Sequence, residues 1–174
     1  RGFDTVHTLL QHRKPTALVL CDINLRPDCY TEKTIRETLK KTDILKLNRE
    51  EMQTLSQLFS GPEQEEARLR WLMDSFSLQM ISMTADSDGS RLMTPKGSYS
   101  MKPKATLSIR DTVGAGDAYA AVLAAGILLN WDPEKILKKA TDFAGKVCTL
   151  KGALPESPGF YTPIKKEIHG DNDD

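Results

Sequence analysis

Residues Asp111-Thr112-Val113-Gly114-Ala115-Gly116-Asp117 run straight into Ala118-Tyr119-Ala120-Ala121-Val122-Leu123-Ala124-Ala125, a small-residue turn that opens an apolar, alanine-rich helix. A turn of this kind aims several backbone N–H groups at one point, at the positive end of a helix dipole, where an anion can sit. Asp117 stands at the same turn, so a carboxylate is held beside a phosphate-sized hole. That is unfavourable unless something compensates. Chemistry that takes a proton from a hydroxyl while charge builds on a transferring phosphoryl group uses both features. A bare Gly-x-Gly before a helix also serves simply as a tight connection with close helix packing. Two other phosphate motifs are excluded. A dinucleotide fingerprint needs a third glycine where Tyr119 stands, and Gly145-Lys146 is followed by Val147 rather than Ser or Thr.

Periodicity along the rest of the chain predicts alternating helices and strands. Phe3 to His12 reads as an amphipathic helix with Phe3, Val6, Leu9 and Leu10 on one face. Ala17 to Cys21 is a short apolar run, as expected of a strand buried on both faces. A helix over Glu32 to Lys41 turns Ile35 and Leu39 inward. Ile44 to Leu47 forms a second strand, followed by helices over Arg49 to Phe59 and Glu63 to Asp74. Leu78 to Met83 is a third strand. Gly89 to Met93 and Ser98 to Met101 form a hairpin around Lys96-Gly97. After the helix from Gly114 to Leu129, Asp132 caps another that begins at Pro133 and continues to Leu150. Beyond Lys151, Pro and Gly are frequent, and residues 164–174 read as a flexible tail. This alternation argues for a parallel sheet covered on both faces, with ligands bound beyond the carboxyl ends of its strands.

Composition limits the partners. The chain has 174 residues, about one domain, and 24 basic residues balance 24 acidic ones for a formal net charge of +0. That balance argues against non-specific binding of nucleic acid or an anionic membrane. No apolar run has membrane-spanning length and no secretory signal opens the chain. Cys21, Cys29 and Cys148 form no Cys-x-x-Cys pair and read as reduced, cytoplasmic packing residues. His7, His12 and His169 are scattered and show no metal-ligand spacing.

Three further constellations follow strands. Asn48 and Glu51, three residues apart at a helix start, can face one site, where an amide binds a phosphate oxygen and a carboxylate holds Mg²⁺. The same pair is also a plain helix cap. Asp22, Asn24 and Arg26 alternate along an extended segment and can line one cleft, or form a surface salt-bridge cluster. Met83-Thr84-Ala85-Asp86-Ser87-Asp88-Gly89 is a turn after the third strand.

The string Asp-Thr-Val-Gly-Ala-Gly-Asp-Ala at 111–118 resembles the second signature of the ribokinase-type (PfkB) family of carbohydrate kinases. The resemblance implies a ribokinase-like α/β three-layer sandwich with a mostly parallel sheet, and ATP-dependent phosphorylation of a sugar hydroxyl. It makes Asp117 the catalytic base and the amides of Gly114, Ala115 and Gly116 the anion hole. It assigns Asn48, Thr84 and Gly89 to the nucleotide, Glu51 to Mg²⁺, and Asp22, Asn24 and Arg26 to phosphate or substrate. The last three are similar to the Asp-x-Asn-x-Arg segment of fructokinase-like and 2-keto-3-deoxygluconate-kinase-like members, and fructose or a related sugar is the expected acceptor. Residues 140–153 resemble the family's C-terminal helix, which packs near adenine, with Phe143 equally able to be ordinary core. It ends in the turn Gly152-Ala153, and Asp111, Val113 and Ala153 are candidates for a monovalent-cation (K⁺) site. One position departs from the pattern: Asp86 stands where the family has the first glycine of its nucleotide-binding turn.

The match covers only the C-terminal part of the family. Residues 1–163 are therefore expected to be the C-terminal, nucleotide-binding part of a longer kinase domain whose N-terminal strands and lid lie elsewhere, a homodimer forming through that lid. Two other readings stay open. One is a truncated, inactive nucleotide-binding or regulatory module. The other is a structural α/β domain in which the Gly-Ala-Gly turn is only packing.

Overall fold

The structure of the chain, a computed structural model, describes residues 2–104 and 108–170. In chain order its elements are α1 (Gly2–Gln11), β1 (Leu20–Asp22), α2 (Glu32–Leu39), β2 (Ile44–Asn48), α3 (Arg49–Leu58), α4 (Glu65–Phe76), β3 (Met80–Thr84), β4 (Ser90–Thr94), β5 (Gly97–Met101), α5 (Ala115–Leu128), α6 (Pro133–Val147) and α7 (Thr162–His169). Short 3-10 turns occupy Asp86–Asp88 and Pro158–Tyr161.

The strands are hydrogen-bonded in the order β1-β2-β3-β4-β5. β1 pairs with β2 and β2 with β3 in parallel, Leu20 opposite Ile44 and Ile44 opposite Met80. The link from β4 to β5 is only Pro95-Lys96, too short for a crossover, so these two run antiparallel and the sheet is mixed. The chain forms two compact units, one of Arg1–Thr84 with Met93–Ser98 and the other of Ala85–Leu92 with Tyr99–Asp174. No described helix is long and apolar enough to cross a membrane.

In the first unit, the apolar positions of β2, β3, α2, α3 and α4 make one core. Leu39, Leu45, Leu47, Met52, Leu55, Leu72, Ile81 and Met83 are fully buried in it. Each contributes about 1.5–3 kcal/mol relative to an exposed side chain. Local chemistry sets the helix starts. Thr31 and Thr34 form a capping box at α2, and Asn48 and Glu51 form one at α3. Ile35 and Leu39 face inward as their spacing predicts.

Two expectations are corrected here. The first apolar run is not a strand buried on both faces. Its ladder begins only at Leu20, all three residues of β1 are half-buried, and Leu18 is exposed, because β1 is an edge strand whose register with β2 starts at Ile44. The expected tail also has structure as far as it is described: residues 164–169 belong to α7, while 171–174 lie outside the described residues. Helix α1 forms as read, with Phe3, Val6 and Leu9 exposed and no residue buried.

In the second unit, α5 packs on α6. A Cβ on Gly126 would lie 2.8 Å from Ile136 Cγ1, so the glycine permits this close approach. Asp132 caps α6 by accepting the Lys135 N–H at 2.9 Å, with Pro133 in the first turn. The hydroxyls of Ser90 on β4 and Thr141 on α6 share a buried hydrogen bond of 2.5 Å. Phe143 is half-buried beside Phe160 and Tyr161.

Gly89, just before β4, has φ +95°, and a Cβ there would lie 2.0 Å from the Met101 carbonyl oxygen. Both the torsion and the clash are with backbone, which cannot give way as a side chain can. Gly89→Ala is therefore expected to destabilise the chain by at least about 2 kcal/mol, read as a fall in the urea or thermal unfolding midpoint.

Candidate functional site

In the first unit the residues singled out after β1 and β2 converge. Asn48 ends β2 with an extended backbone and caps α3, its side-chain oxygen accepting the Glu51 N–H at 2.8 Å. The Glu51 carboxylate answers with both oxygens. Oε2 accepts the Asn48 N–H at 2.7 Å, and Oε1 accepts the N–H of Leu25, beyond β1, at 2.9 Å. Thr84, at the end of β3, is the register partner of Asn48.

Asp22 is reached by Lys46, whose Nζ lies 2.7 Å from its Oδ2, and the Lys46 side chain is only 7% exposed. No role was read for Lys46 from the sequence. The available signal was its position, a lysine in the middle of Ile44-Leu45-Lys46-Leu47, where the strand is otherwise apolar. A charge in such a place needs a partner. Burial pushes the neighbouring Cys21 thiol up from its ordinary pKa, against a hydrogen bond with Thr42.

The picture of Asp22, Asn24 and Arg26 lining one cleft from an extended segment needs correction. Asn24 has φ +41°, in the left-handed region, so the chain turns away two residues after β1 ends at Asp22. Ile23 and Leu25 pack against the core and Asn24 and Arg26 are exposed, while Asp22 is tied to Lys46. The alternation survives for burial but Asp22 is drawn out of the common row.

In the second unit the Gly-Ala-Gly turn has the form the sequence suggests. Gly114 is the N-cap of α5 at φ +82°, and a Cβ on it would lie 2.7 Å from the Ala153 Cβ. Only glycine fits both the torsion and the approach. The Ala115 N–H donates to the Thr112 carbonyl at 3.2 Å, so this amide closes the turn, whereas Gly116 and Asp117 lie in the first helical turn, whose N–H groups have no carbonyl four residues back in the helix. Asp117 is exposed, and no hydrogen bond or ion pair engages its carboxylate among the described residues.

Asp111 organises the approach to this turn. Its Oδ1 accepts the Val113 N–H and its Oδ2 the Gly152 N–H, each at 3.0 Å. The carboxylate thus draws Val113 and the Gly152-Ala153 turn to one place, which brings together the three residues considered for a monovalent cation. The Val113 N–H holds the Asp111 carboxyl below the usual aspartate range, with help from Gly152 and Thr112, against partial desolvation. Nearby, burial and then the charges of Asp111 and Asp86 raise the Cys148 thiol pKa.

Asp86 has φ +43°. The position where a glycine was expected is therefore left-handed, and an aspartate adopts it at some cost in backbone strain.

No group of three or more His, Cys, Asp or Glu side chains gathers into a metal cage among the described residues. Mg²⁺ needs no such cage, since it keeps several waters and binds through one or two carboxylates plus substrate phosphates; each Glu51 oxygen accepts one backbone N–H here.

The family model described as pfkB family carbohydrate kinase matches residues 4–158. The chain belongs to the pfkB family. Among its relatives, a 5-dehydro-2-deoxygluconokinase from Clostridium botulinum is 33% identical over 140 residues, covering 76% of this chain and 40% of that protein. An ATP-dependent ribose-1-phosphate kinase from Halopiger xanaduensis is 30% identical over 117 residues, covering 67% of this chain and 36% of that protein. The pfkB chain thus spans well under two thirds of the length of these curated relatives. The crystal structure of a nucleoside kinase from Methanocaldococcus jannaschii, an archaeal ribokinase-family member, superposes with a TM-score of 0.74 at 20% identity, covering 94% of this chain and 53% of that one. The fold is ribokinase-like α/β, as expected from the motif.

Two tests follow. Gly114→Ala should cost about 1–3 kcal/mol, while Asp86→Gly, which relieves a left-handed aspartate, should stabilise by about 1 kcal/mol, both read from unfolding midpoints. A lowered folded-state pKa means that the Asp111 contribution is complete above the ordinary aspartate value of about 3.9 and is lost only as pH falls through the lower folded value. In an NMR titration the Val113 and Gly152 amide signals should stay constant through neutral pH and move only below that range.

Proposed function

We propose that this pfkB chain carries the phosphoryl-transfer machinery of an ATP-dependent sugar kinase. The single observation that supports it most is the pairing of Gly114, left-handed at the α5 N-terminus, with the exposed, unengaged carboxylate of Asp117 in the first turn. Asp117 accepts the proton of a sugar hydroxyl as its oxygen attacks the γ-phosphorus of ATP. The bond from phosphorus to the ADP oxygen breaks, and that electron pair stays on ADP. By family resemblance the amides of Gly114, Ala115 and Gly116 face the charge that builds on the transferred group; since the Ala115 N–H donates to the Thr112 carbonyl, that role falls to the N-cap Gly114 and the first-turn Gly116. Asn48, Thr84 and Gly89 hold the nucleotide. Glu51 would hold Mg²⁺, which when bound draws negative charge from the phosphate oxygens. Asp111, Val113 and Ala153 would hold K⁺.

The acceptor is a sugar. The fructokinase-like Asp22, Asn24 and Arg26 pattern supports fructose. The relatives' names state a deoxygluconate and ribose 1-phosphate, both anionic, and the exposed Arg26 guanidinium has the planar fork that suits a carboxylate or phosphate. ADP release by the purified chain with fructose, 5-dehydro-2-deoxygluconate and ribose 1-phosphate distinguishes the acceptors. Asp117→Asn should lower turnover by about 10²–10⁴-fold or more with the unfolding midpoint unchanged. Normal turnover by that variant removes the base from Asp117.

A second reading is favoured by Asp86, which puts bulk and negative charge where a glycine would admit a nucleotide. It is a nucleotide-binding module without transfer, marked by ATP binding with no sugar-dependent ADP release.

A further inference from the structure

The Asp22–Lys46 pair calls for an explanation that the reaction does not supply. β1 is three residues long, lies at the sheet edge and contains no fully buried residue, and Cys21, Ile23 and Leu25 at its end are only partly buried against the core. The chain then turns left-handed at Asn24 and presents Arg26 to solvent. Three polar links hold this exit. Asp22 Oδ2 meets Lys46 Nζ at 2.7 Å, the Ile23 N–H donates to the Lys46 carbonyl at 3.1 Å, and the Leu25 N–H donates to Glu51 Oε1 at 2.9 Å. Lys46 takes part in two of the three. Its ammonium is nearly enclosed while Asp22 is 29% exposed, so the buried member is the cation.

We propose that Lys46 is a positioning residue: it holds Asp22 as its counter-ion and so fixes the exit of β1 that presents Asn24 and Arg26. Asp22 then serves the site by anchoring the segment rather than by facing a ligand. A buried cation with its counter-ion removed is unfavourable, so neither charge can be deleted alone without disturbing the other. The proposal rests on the kinase reading for the use made of Arg26, but not for the anchoring itself.

The decisive variant is the double substitution Asp22→Asn with Lys46→Met, which leaves no orphaned charge. Amide hydrogen exchange of the purified chain, followed by NMR, reports the anchoring directly. The double variant should fold, with the amides of Leu72 and Ile81 in the core exchanging as in the wild type and those of Ile23 and Leu25 exchanging at least about tenfold faster. Lys46→Arg, which keeps the charge, should leave Leu25 within about threefold of the wild-type rate. Unchanged exchange at Ile23 and Leu25 in the double variant overturns the proposal. So does acceleration of all core amides in proportion, or loss of the fold, because each assigns the pair to general stability. The measurement needs no turnover, so an inactive chain would count against the sugar-kinase reading and not against the anchoring.

Discussion

Strand β2 is the constraint on which the first unit depends. Ile44, Leu45, Lys46 and Leu47 are all buried, with parallel neighbours on both edges. A strand enclosed in this way has one register, because a slip by one residue would exchange its two faces. That register puts Lys46 opposite Asp22 and Asn48 opposite Thr84. It also delivers Asn48 to the α3 N-terminus, where Glu51 gathers the N–H groups of Asn48 and Leu25. The polar groups at the strand ends are thus arranged by an apolar core that takes no part in chemistry.

The second unit solves a different problem. Its small-residue turn must bring backbone close to backbone, and Gly114 against Ala153 does so. The Asp111 carboxylate then clamps the turn to Gly152. Asp117 is left without such a bond, on a helix whose buried side is held by Tyr119, Val122 and Leu123. One aspartate of the motif is engaged by backbone and the other is open to solvent.

Much of this was legible in the residues. Caps at Asp132 and Asn48, inward positions at Ile35 and Leu39, and the hairpin around Lys96-Gly97 follow from spacing and turn chemistry. The pfkB family was legible in the string at 111–118, and the Asp86 departure could be seen by eye. Less legible was anything that depends on a partner distant in sequence. The shortness of β1 is a property of the edge it occupies. The left-handed turn at Asn24 is local but carries no glycine to announce it. The 3-10 turn and helix after Ser157 were hidden by the frequency of Pro and Gly, although Ser157 does cap the turn by accepting the Gly159 N–H.

The amino-acid order by itself determined the α/β alternation, the helix starts and the small-residue turn with its carboxylate, because each rests on interactions within a few residues. Only the tertiary structure decided that Lys46 answers Asp22, that Glu51 holds Leu25, and that Asp111 reaches Gly152, because those partners lie 24, 26 and 41 residues apart. Such contacts form only after strand register and helix packing have brought distant segments together, and no local pattern encodes them.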